Sequence, residues 1–480
     1  MASFGNHIGG EWVSSEAFTT NINPSDTADV VGEFARTSRA DVDRAIEEAA
    51  HAFPAWSRSP VQLRHDILKR AGDELFQRRE EMGRLLSREE GKTLAEGVGE
   101  ATRAAQILFY FAGECLRLKG DLLPSVRPGV GVEITREPLG VIRIVTPWNF
   151  PLAIPAWKIA PALAYGNCVV FKPADLVPAC AHALTEILVR AGVPKGVLNL
   201  VMGRGSEVGQ AIVSHQKVDG ISFTGSVATG RQIAAACVGA TPMKKVQLEM
   251  GGKNPLVVLD DADLDGAVEC AIQGSFYSTG QRCTASSRLI ATQAIHDRFV
   301  DALTARMRAL NVGDALDPSS QIGPVVSETQ MRADLDYIRI GKEEGACLAT
   351  GGEPLTRERA GFYLSPALFT EVQNHMRIAR EEIFGPVAAV IRVRDYDEAL
   401  AIANDTPFGL AAGLCTTSLK HAQHFKRNAQ AGMVMVNLPT AGVDYHVPFG
   451  GRKESSCGPR EQGAYAAEFY TTVKTSYVAA

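Results

Sequence analysis

The chain has 480 residues, of which 45% are hydrophobic and 21% are charged, and its formal net charge is -5. These values are ordinary for a soluble globular protein of two or three domains. There is no block of basic residues and no apolar run long enough to cross a bilayer. The composition therefore gives no indication of a nucleic-acid or membrane partner.

The cysteines indicate a reducing compartment. Their number is odd, and no CxxC pair occurs among positions 115, 168, 180, 237, 270, 283, 347, 415 and 457. This pattern argues against a disulfide framework and against a zinc site, so we expect no metal. The first residues lack the pattern of a signal peptide, and we expect a cytoplasmic protein.

The first part of the chain is predicted to contain helices and a hairpin. A helix from Asp41 to His51 would be capped by Asp41. Three amphipathic helices follow, with charged faces that we interpret as solvated surface: Val61–Arg79, Glu80–Glu90 and Leu94–Leu116. Pro and Gly, followed by alternating residues, predict a hairpin over Gly120–Arg136 that leaves the body of the domain.

From Gly140 onwards, short apolar strands alternate with helices. The predicted strands are Val141–Val145, Cys168–Lys172, Val197–Met202, Gly220–Thr224 and Lys244–Glu249. The predicted helices are Pro155–Tyr165, Pro178–Ala191, Glu207–His215 and Ser226–Cys237. This alternation is typical of a parallel sheet covered on both faces, which binds ligands at the carboxyl ends of its strands.

Polar and glycine residues follow several of these strands. Gly225 and Ser226 begin a helix, where free N–H groups suit a phosphate. A strict GxGxxG motif is absent, since Gly203, Gly205 and Gly209 have one residue too many between them. Taken alone, these glycines would be weak evidence for a nucleotide site.

A second α/β unit is expected over residues 251–433, and it contains the stretch that organises the chain. A helix over Leu264–Tyr277 runs into Thr279 and Gly280 and then into Cys283. Arg282 and Thr284 give Cys283 a polar, partly cationic setting, which favours the nucleophilic thiolate. The alternative is a buried structural cysteine, the commoner fate of a free thiol. Near the end, Glu468–Val478 is predicted to be a strand without an evident local partner, which often pairs with another subunit.

The chain resembles the NAD(P)-dependent aldehyde dehydrogenases over nearly its whole length. The resemblance is carried in order by the motifs at 147–151 (PWNFP), 171–175 (FKPAD), 223–226 (FTGS), 248–253 (LEMGGK), 280–284 (GQRCT), 381–386 (EEIFGP) and 448–451 (PFGG). It implies an α/β fold with a Rossmann-like cofactor domain (1–119 and 140–250), an α/β catalytic domain (251–433) and a small β oligomerisation arm (120–139 and 460–480). A homodimer or homotetramer is expected.

The resemblance also implies residue roles. Cys283 would form a covalent adduct with the aldehyde and then a thioester. The Asn149 amide and the Cys283 backbone N–H would hold the oxyanion, and Glu249 would activate water. Lys172 would support proton movement as a further catalytic residue. Several residues would contact the cofactor: Trp148, Lys172, Asp175, Gly225, Ser226, Glu382 and Phe384. An acid at 175 would repel a 2′-phosphate and favours NAD, but Asp is shorter than the family's usual Glu, which leaves NADP open.

The substrate prediction is finer. The tunnel would be lined by Phe150, Ile154, Trp157, Arg282, Ala441, Val443 and Phe449. Arg282 would either pair with a distal carboxylate of the aldehyde or point away and bind protein. The segments 277–287 and 433–452 look most like α-ketoglutaric semialdehyde dehydrogenases, which act on 2,5-dioxopentanoate. Succinic or glutaric semialdehyde is the alternative substrate.

Two other functions are weighed. A coenzyme A-acylating semialdehyde dehydrogenase would lack the glutamate at 249. A non-catalytic structural member of the family would be expected to lose the thiol, the base or the amide, and Cys283, Glu249 and Asn149 are all present. Cys457 is interpreted as incidental.

Overall fold

Two large β-sheets flanked by helices form the body of the protein in a computed structural model, which describes residues 3–205 and 215–479. The strands of the first part are β1 Ser3–Phe4, β2 Asn6–Ile8, β3 Glu11–Val13, β4 Phe18–Asn23, β5 Asp26–Ala35, β6 Asp121–Pro124, β7 Val130–Pro138, β8 Val141–Val145, β9 Cys168–Lys172, β10 Leu198–Leu200, β11 Gly220–Thr224 and β12 Lys245–Glu249. Those of the second part are β13 Asn254–Val258, β14 Ser286–Thr292, β15 Cys347–Thr350, β16 Ala367–Thr370, β17 Val387–Val393, β18 Phe408–Gly409, β19 Ala411–Cys415, β20 Met433–Val436, β21 Arg452–Lys453, β22 Ser456–Cys457 and β23 Thr471–Ala479.

The α-helices pack against these sheets or on one another. They are α1 Arg39–Trp56, α2 Val61–Gln77, α3 Arg79–Glu90, α4 Leu94–Glu114, α5 Ala153–Ala164, α6 Pro178–Arg190, α7 Val227–Val238, α8 Leu264–Ser275, α9 His296–Arg308, α10 Glu328–Glu343, α11 Arg377–Arg380, α12 Tyr396–Asn404, α13 Leu419–Asn428 and α14 Ala467–Tyr470. Within the described ranges, none of them is long and apolar enough to cross a membrane.

The first sheet has the order β22-β12-β11-β8-β9-β10-β2-β3. Its central strands β12, β11, β8, β9 and β10 run parallel, as the alternation of apolar strands and helices predicts. In this register Val145 pairs with Lys172, and Thr224 pairs with Glu249. The carboxyl ends of these strands therefore meet at one edge, where the sequence predicts the cofactor residues.

The second sheet has the order β15-β16-β17-β14-β13-β19-β20. Buried aliphatic residues of β13, β14 and β17 form its centre, and α8 packs beside them on the way to Cys283. Each sheet lies within one of the two predicted units, with two exceptions: β20 of the second sheet runs to Val436, past the predicted boundary at 433, and β22 returns to pair with β12 of the first sheet. The division into domains at these boundaries stays a prediction.

Some local predictions need correction. The N-cap of α1 is Ser38, whose hydroxyl accepts from the Asp41 backbone N–H, so the helix begins before the predicted cap. Ser38 can serve as the cap because the amide three residues later, in the first turn, has no partner within the helix. The predicted helix over Glu207–His215 lies, apart from His215, outside the described residues.

The terminal strand pairs within its own chain with a strand of the predicted hairpin, which brings together the two segments assigned to the arm, 120–139 and 460–480. β23 pairs antiparallel with β7 from Thr471 and Pro138 to Ala479 and Val130, and β7 pairs in turn with β6. The long separation between these strands in the sequence hides this pairing. The resulting three-stranded arm exposes Leu122, Val473 and Tyr477.

Candidate active site

A sharp turn carries the predicted nucleophile. Helix α8 ends at Ser275, and a 3-10 turn follows in which Ser278, Thr279 and Gly280 all have left-handed backbones (φ 51°, 56° and 67°). A Cβ on Gly280 would lie 2.3 Å from the Gly385 carbonyl oxygen, so only glycine fits there. This close approach brings the loop before Cys283 against the segment that contains Glu382 and Phe384.

Cys283 does not lie in a cationic setting. The residue is half-buried and packs beside Phe449 and Val443. The pKa of its thiol is raised to about 12. Burial is the largest cause, and the negative charges of the Glu382 and Glu249 carboxylates add to it. The prediction that its neighbours favour the thiolate is therefore wrong for this state, because two acids face the sulfur and the neighbouring guanidinium does not.

Arg282 binds protein groups, which decides between the two interpretations of its side chain. Its Nη2 donates to Glu96 Oε1 and to Ser278 Oγ, both at 2.8 Å, and its Nη1 donates to the Gln273 carbonyl at 3.3 Å. Glu96 Oε1 also accepts from the Ser278 backbone N–H at 2.8 Å. The predicted pairing of Arg282 with a substrate carboxylate is therefore wrong in this structure, since Glu96 already neutralises the guanidinium.

Asn149 is fixed in the same loop cluster. Its Nδ2 donates to the Gln281 carbonyl at 2.9 Å, which uses one of the two amide hydrogens. Its own backbone carbonyl accepts from Lys92 Nζ at 2.7 Å. The second amide hydrogen stays available for an oxyanion, as the prediction requires.

A buried ion pair supports the backbone of Asn149. The interpretation of the charged faces of the early helices as solvated surface is wrong for Glu100 on α4. Lys92 and Glu100 are almost fully buried and form an ion pair at 2.7 Å. Glu100 Oε1 accepts from the backbone N–H groups of Leu152 and Ala153, at 2.9 and 3.1 Å, where α5 begins. A single sequence cannot reveal such partners, because they lie about 50 residues away.

Glu249 ends strand β12 and is almost fully buried. Burial, with the Glu461 carboxylate adding to it, raises the pKa of Glu249 well above its ordinary value. Its Oε2 lacks a hydrogen-bond partner among the described residues. Beside it, Lys158 and Glu461 form a buried ion pair that the sequence analysis missed. The signal for this pair was one lysine in the otherwise apolar helix α5.

The predicted nucleotide residues meet at the carboxyl edge of the first sheet. Burial lowers the pKa of Lys172 to about 8, although the negative charge of the half-buried Asp175 acts to raise it. Ser226 is the N-cap of α7, and Gly225 lies at the helix start, with its N–H bonded to the Glu249 carbonyl at 3.1 Å. The buried hydroxyls of Thr146 and Thr224 lack partners among the described residues. A ligand with hydroxyl and phosphate groups fits this edge, because its oxygens would satisfy these donors.

A second group of residues predicted to bind the cofactor lies against residues 276–283, the segment that leads to Cys283 and that we call the nucleophile loop. Glu382 Oε1 accepts from the Gly252 N–H at 2.8 Å, and burial raises the pKa of Glu382 to about 7. Phe384 has a left-handed backbone (φ 64°), and its ring meets the Trp148 ring edge-on at 5.3 Å. The structure thus brings Trp148, Glu382 and Phe384 to the side of the pocket predicted for the nicotinamide.

The profile of the aldehyde dehydrogenase family matches residues 12–476. The chain belongs to the aldehyde dehydrogenase family. It is therefore an oxidoreductase, and the α/β fold implied by the sequence motifs is confirmed. Within the described residues, no group of His, Cys, Asp or Glu side chains could hold a metal ion.

Curated relatives of this aldehyde dehydrogenase have informative names. Alpha-ketoglutaric semialdehyde dehydrogenase of Bacillus subtilis is 44% identical over 477 residues, which cover 98% of this chain and 97% of that protein. 2,5-Dioxopentanoate dehydrogenase of Saccharolobus solfataricus is 42% identical over 458 residues, covering 95% of each. Betaine aldehyde dehydrogenase of Mesorhizobium japonicum is 42% identical over 440 residues, covering 91% of this chain and 89% of that protein.

Solved structures share the fold throughout. Betaine aldehyde dehydrogenase of Staphylococcus aureus in complex with NAD+ has a TM-score of 0.96 and is 34% identical, covering 99% of this chain and 95% of that chain. An Escherichia coli NADP dependent enzyme has a TM-score of 0.95 and is 35% identical, covering 100% of this chain and 98% of that chain.

Five of the remaining predicted substrate residues of the aldehyde dehydrogenase lie on α5, just before it, or in the cluster that contains Cys283. The rings of Trp157 and Phe449 are 5.3 Å apart, and Phe449 shares a cluster with Cys283 and Val443. Phe150 lies under Lys92 Nζ, 3.8 Å from the ring centre, and Ile154 is buried on α5 beside it. Their contacts with substrate stay predictions.

Proposed function

We propose that this enzyme oxidises 2,5-dioxopentanoate to 2-oxoglutarate with NAD, through a thiohemiacetal and a thioester on Cys283. One observation supports this substrate: three relatives that are 42 to 44% identical over nearly the whole chain are all named for this aldehyde. The bond of Asn149 to the loop before Cys283 and the nearness of the Glu249 carboxylate to the thiol support the chemistry.

In the first step, the Cys283 thiol releases its proton to solvent, and the thiolate sulfur bonds to the aldehyde carbon while the C=O electron pair moves to oxygen, which becomes an oxyanion. The free Nδ2 hydrogen of Asn149 and the backbone N–H of Cys283 would stabilise it, each by about 3 kcal/mol. The Gln281 carbonyl and Lys92 hold the Asn149 side chain and backbone, so these donors need no reorganisation when charge develops.

The cofactor edge fits a nicotinamide dinucleotide. Lys172, Asp175, Gly225 and Ser226 would hold its adenosine ribose and phosphates, and a further group, Trp148, Glu382 and Phe384, would hold its nicotinamide end. When bound, this cofactor accepts the hydride that leaves the adduct carbon. The Asp175 carboxylate would repel a 2′-phosphate, and for this reason we propose NAD rather than NADP.

In the last step, Glu249 as a carboxylate removes a proton from water. The water oxygen bonds to the thioester carbon, the carbon–sulfur bond breaks, and the acid leaves. This step requires loss of the proton that burial holds on Glu249, so we expect it to be faster at higher pH.

The test compares kcat/KM for 2,5-dioxopentanoate, succinic semialdehyde, glutaric semialdehyde and betaine aldehyde, each with NAD and with NADP. We expect the highest value for 2,5-dioxopentanoate with NAD, and loss of turnover in Cys283→Ser. A higher value for succinic or glutaric semialdehyde would replace the substrate within the same class. An equal value for the cationic betaine aldehyde would overturn the carboxylated class.

We also propose a homodimer or homotetramer in a reducing, cytoplasmic compartment. The exposed apolar side chains of the arm formed by β6, β7 and β23 suit burial against a second copy. All nine cysteines are free thiols, as a reducing compartment would keep them.

A further inference from the structure

A distal carboxylate needs a cation, and three cations of the surrounding shell are already paired. Arg282 is held by Glu96, Lys92 by Glu100, and Lys158 by Glu461. A cation that already forms an ion pair binds a second carboxylate only weakly, because its charge is already compensated. The group that recognises the proposed substrate therefore has to be sought elsewhere on the pocket wall.

Arg103 is a largely buried guanidinium without an acid partner among the described residues. It lies on α4, three residues after Glu100, which binds the start of α5. Its Nη2 lies 3.5 Å from Gln462 Oε1, a long contact, and its buried Nε has no acceptor. Burial lowers the pKa of Arg103, while the more distant charges of Glu100 and Asp444 act in the opposite direction. An unpaired buried cation is costly, which indicates that a ligand supplies the missing charge.

Gln462 links Arg103 to the pocket of Cys283. It is fully buried, and its Nε2 also lacks an acceptor among the described residues. The preceding residue, Glu461, exchanges two backbone hydrogen bonds with Phe449, at 2.7 and 2.9 Å. Phe449 in turn packs with Cys283. Two unused donors, a guanidinium and an amide, therefore lie next to the segment that pairs with Phe449, at the predicted border of the aldehyde pocket.

We propose that Arg103 and Gln462 bind the distal carboxylate of the semialdehyde. The guanidinium fork and the amide N–H match the acceptor oxygens of a carboxylate, and the buried setting strengthens the pairing. The same charge repels a cationic aldehyde, which separates this enzyme's substrate from betaine aldehyde. This inference rests on the proposed carboxylated substrate and names the residues that would select it.

The test measures the ratio of kcat/KM for 2,5-dioxopentanoate to kcat/KM for pentanal, a neutral aldehyde of the same carbon number. We expect Arg103→Met to lower this ratio about 100-fold, mostly through KM for the charged aldehyde. Arg103→Lys keeps the charge without the fork, and we expect a fall of about tenfold. Gln462→Glu should lower the ratio as well, because its carboxylate would occupy Arg103.

Arg282→Met is the matched control. It should lower both kcat/KM values together and leave their ratio unchanged, since Arg282 supports the nucleophile loop for every aldehyde. If the parent enzyme does not prefer 2,5-dioxopentanoate over pentanal, the proposed function fails. If the parent has that preference and Arg103→Met retains it, the role of Arg103 is overturned and the proposed function stands. Turnover of pentanal by each variant shows that it is folded.

Discussion

At the scale of single residues, burial disfavours the charged forms of both the nucleophile and the base. Burial raises the pKa of Cys283 and that of Glu249, and each carboxylate near the thiol raises the thiol pKa further. The two groups are coupled, because charge on Glu249 disfavours the thiolate. A negative charge on one of these groups therefore makes loss of the proton from the other harder.

The first residue-scale prediction concerns the thiol of Cys283. Its alkylation by iodoacetamide should keep rising with pH above 10, because its pKa of about 12 exceeds the ordinary value for cysteine. Glu382→Gln removes a neighbouring carboxylate and lowers the thiol pKa. Alkylation at pH 8.5 should then be about tenfold faster if the pKa falls by about one, because the thiolate fraction rises in proportion. Mass spectrometry of the peptide that contains Cys283 gives the rate separately from the exposed Cys347 and Cys457.

Glu381→Gln is the control for this experiment. Glu381 precedes Glu382, but its carboxylate binds Arg377 and Tyr337. The rate at Cys283 should stay that of the parent in this variant. Equal rates in Glu382→Gln and the parent would show that Glu382 does not act on the thiol.

A second prediction concerns the pH dependence of thioester hydrolysis. Only the carboxylate of Glu249 can accept a proton, and its pKa is raised, so hydrolysis should slow as pH falls through that raised value. Glu461→Gln removes a repelling carboxylate and should shift this acid limb to lower pH. Single-turnover hydrolysis of the acyl-enzyme from pH 5.5 to 10 measures the limb, and a limb that stays in place would refute the coupling.

At the scale of elements, the first two turns of α4 support both sides of the oxyanion hole. Glu96 binds Ser278 and Arg282 in the nucleophile loop. One turn later, Glu100 binds Leu152 and joins Lys92, which holds the Asn149 carbonyl. One rigid helix thereby sets the distance between the two predicted oxyanion donors.

Glu96→Ala should therefore lower kcat for all aldehydes by about 10- to 100-fold, because a small displacement of Cys283 misaligns it with Asn149. We expect KM for NAD to change little, since Glu96 does not contact the cofactor edge. Steady-state kinetics with two aldehydes tests this, and Glu96→Gln should recover part of the rate. Glu81→Ala, an exposed change on α3, is the control. A rise in KM without loss of kcat would contradict a positioning role.

The elements also show what the sequence can predict. The predicted bounds of Val141–Val145, Cys168–Lys172 and Gly220–Thr224 are those of the structure, because each is an apolar run bounded by turn residues. Helix ends differ by a few residues, as in α4, which ends at Glu114 instead of Leu116. Local pattern determines the existence of an element, whereas its ends depend on caps and neighbours.

Contacts between distant residues are what the sequence does not reveal about the site. The motifs predict that Cys283, Asn149 and Glu249 meet, and the strand register brings their elements together. The pair of Lys92 with Glu100 is not predicted, because a spacing of eight residues does not show that both side chains are buried. The ion pair of Lys158 is not predicted either, because its partner Glu461 lies 303 residues away. The direction of Arg282 is undetermined in the sequence for the same reason, since Glu96 lies 186 residues away.

At the scale of the whole molecule, the arm of β6, β7 and β23 shows how the subunit is expected to assemble. Two of its strands are far apart in sequence, and its sheet exposes Val473 and Tyr477, each 60% accessible. Apolar side chains exposed together on a sheet are typical of an interface between copies.

We expect the double variant Val473→Asp and Tyr477→Asp to dissociate the oligomer, because two carboxylates would have to be buried without partners. Light scattering after size-exclusion chromatography measures the mass of the particle. Val61→Asp on α2, where the valine is 46% exposed, is the control and should keep the mass of the parent. An arm variant with the mass of the parent would exclude this face of the arm from the interface.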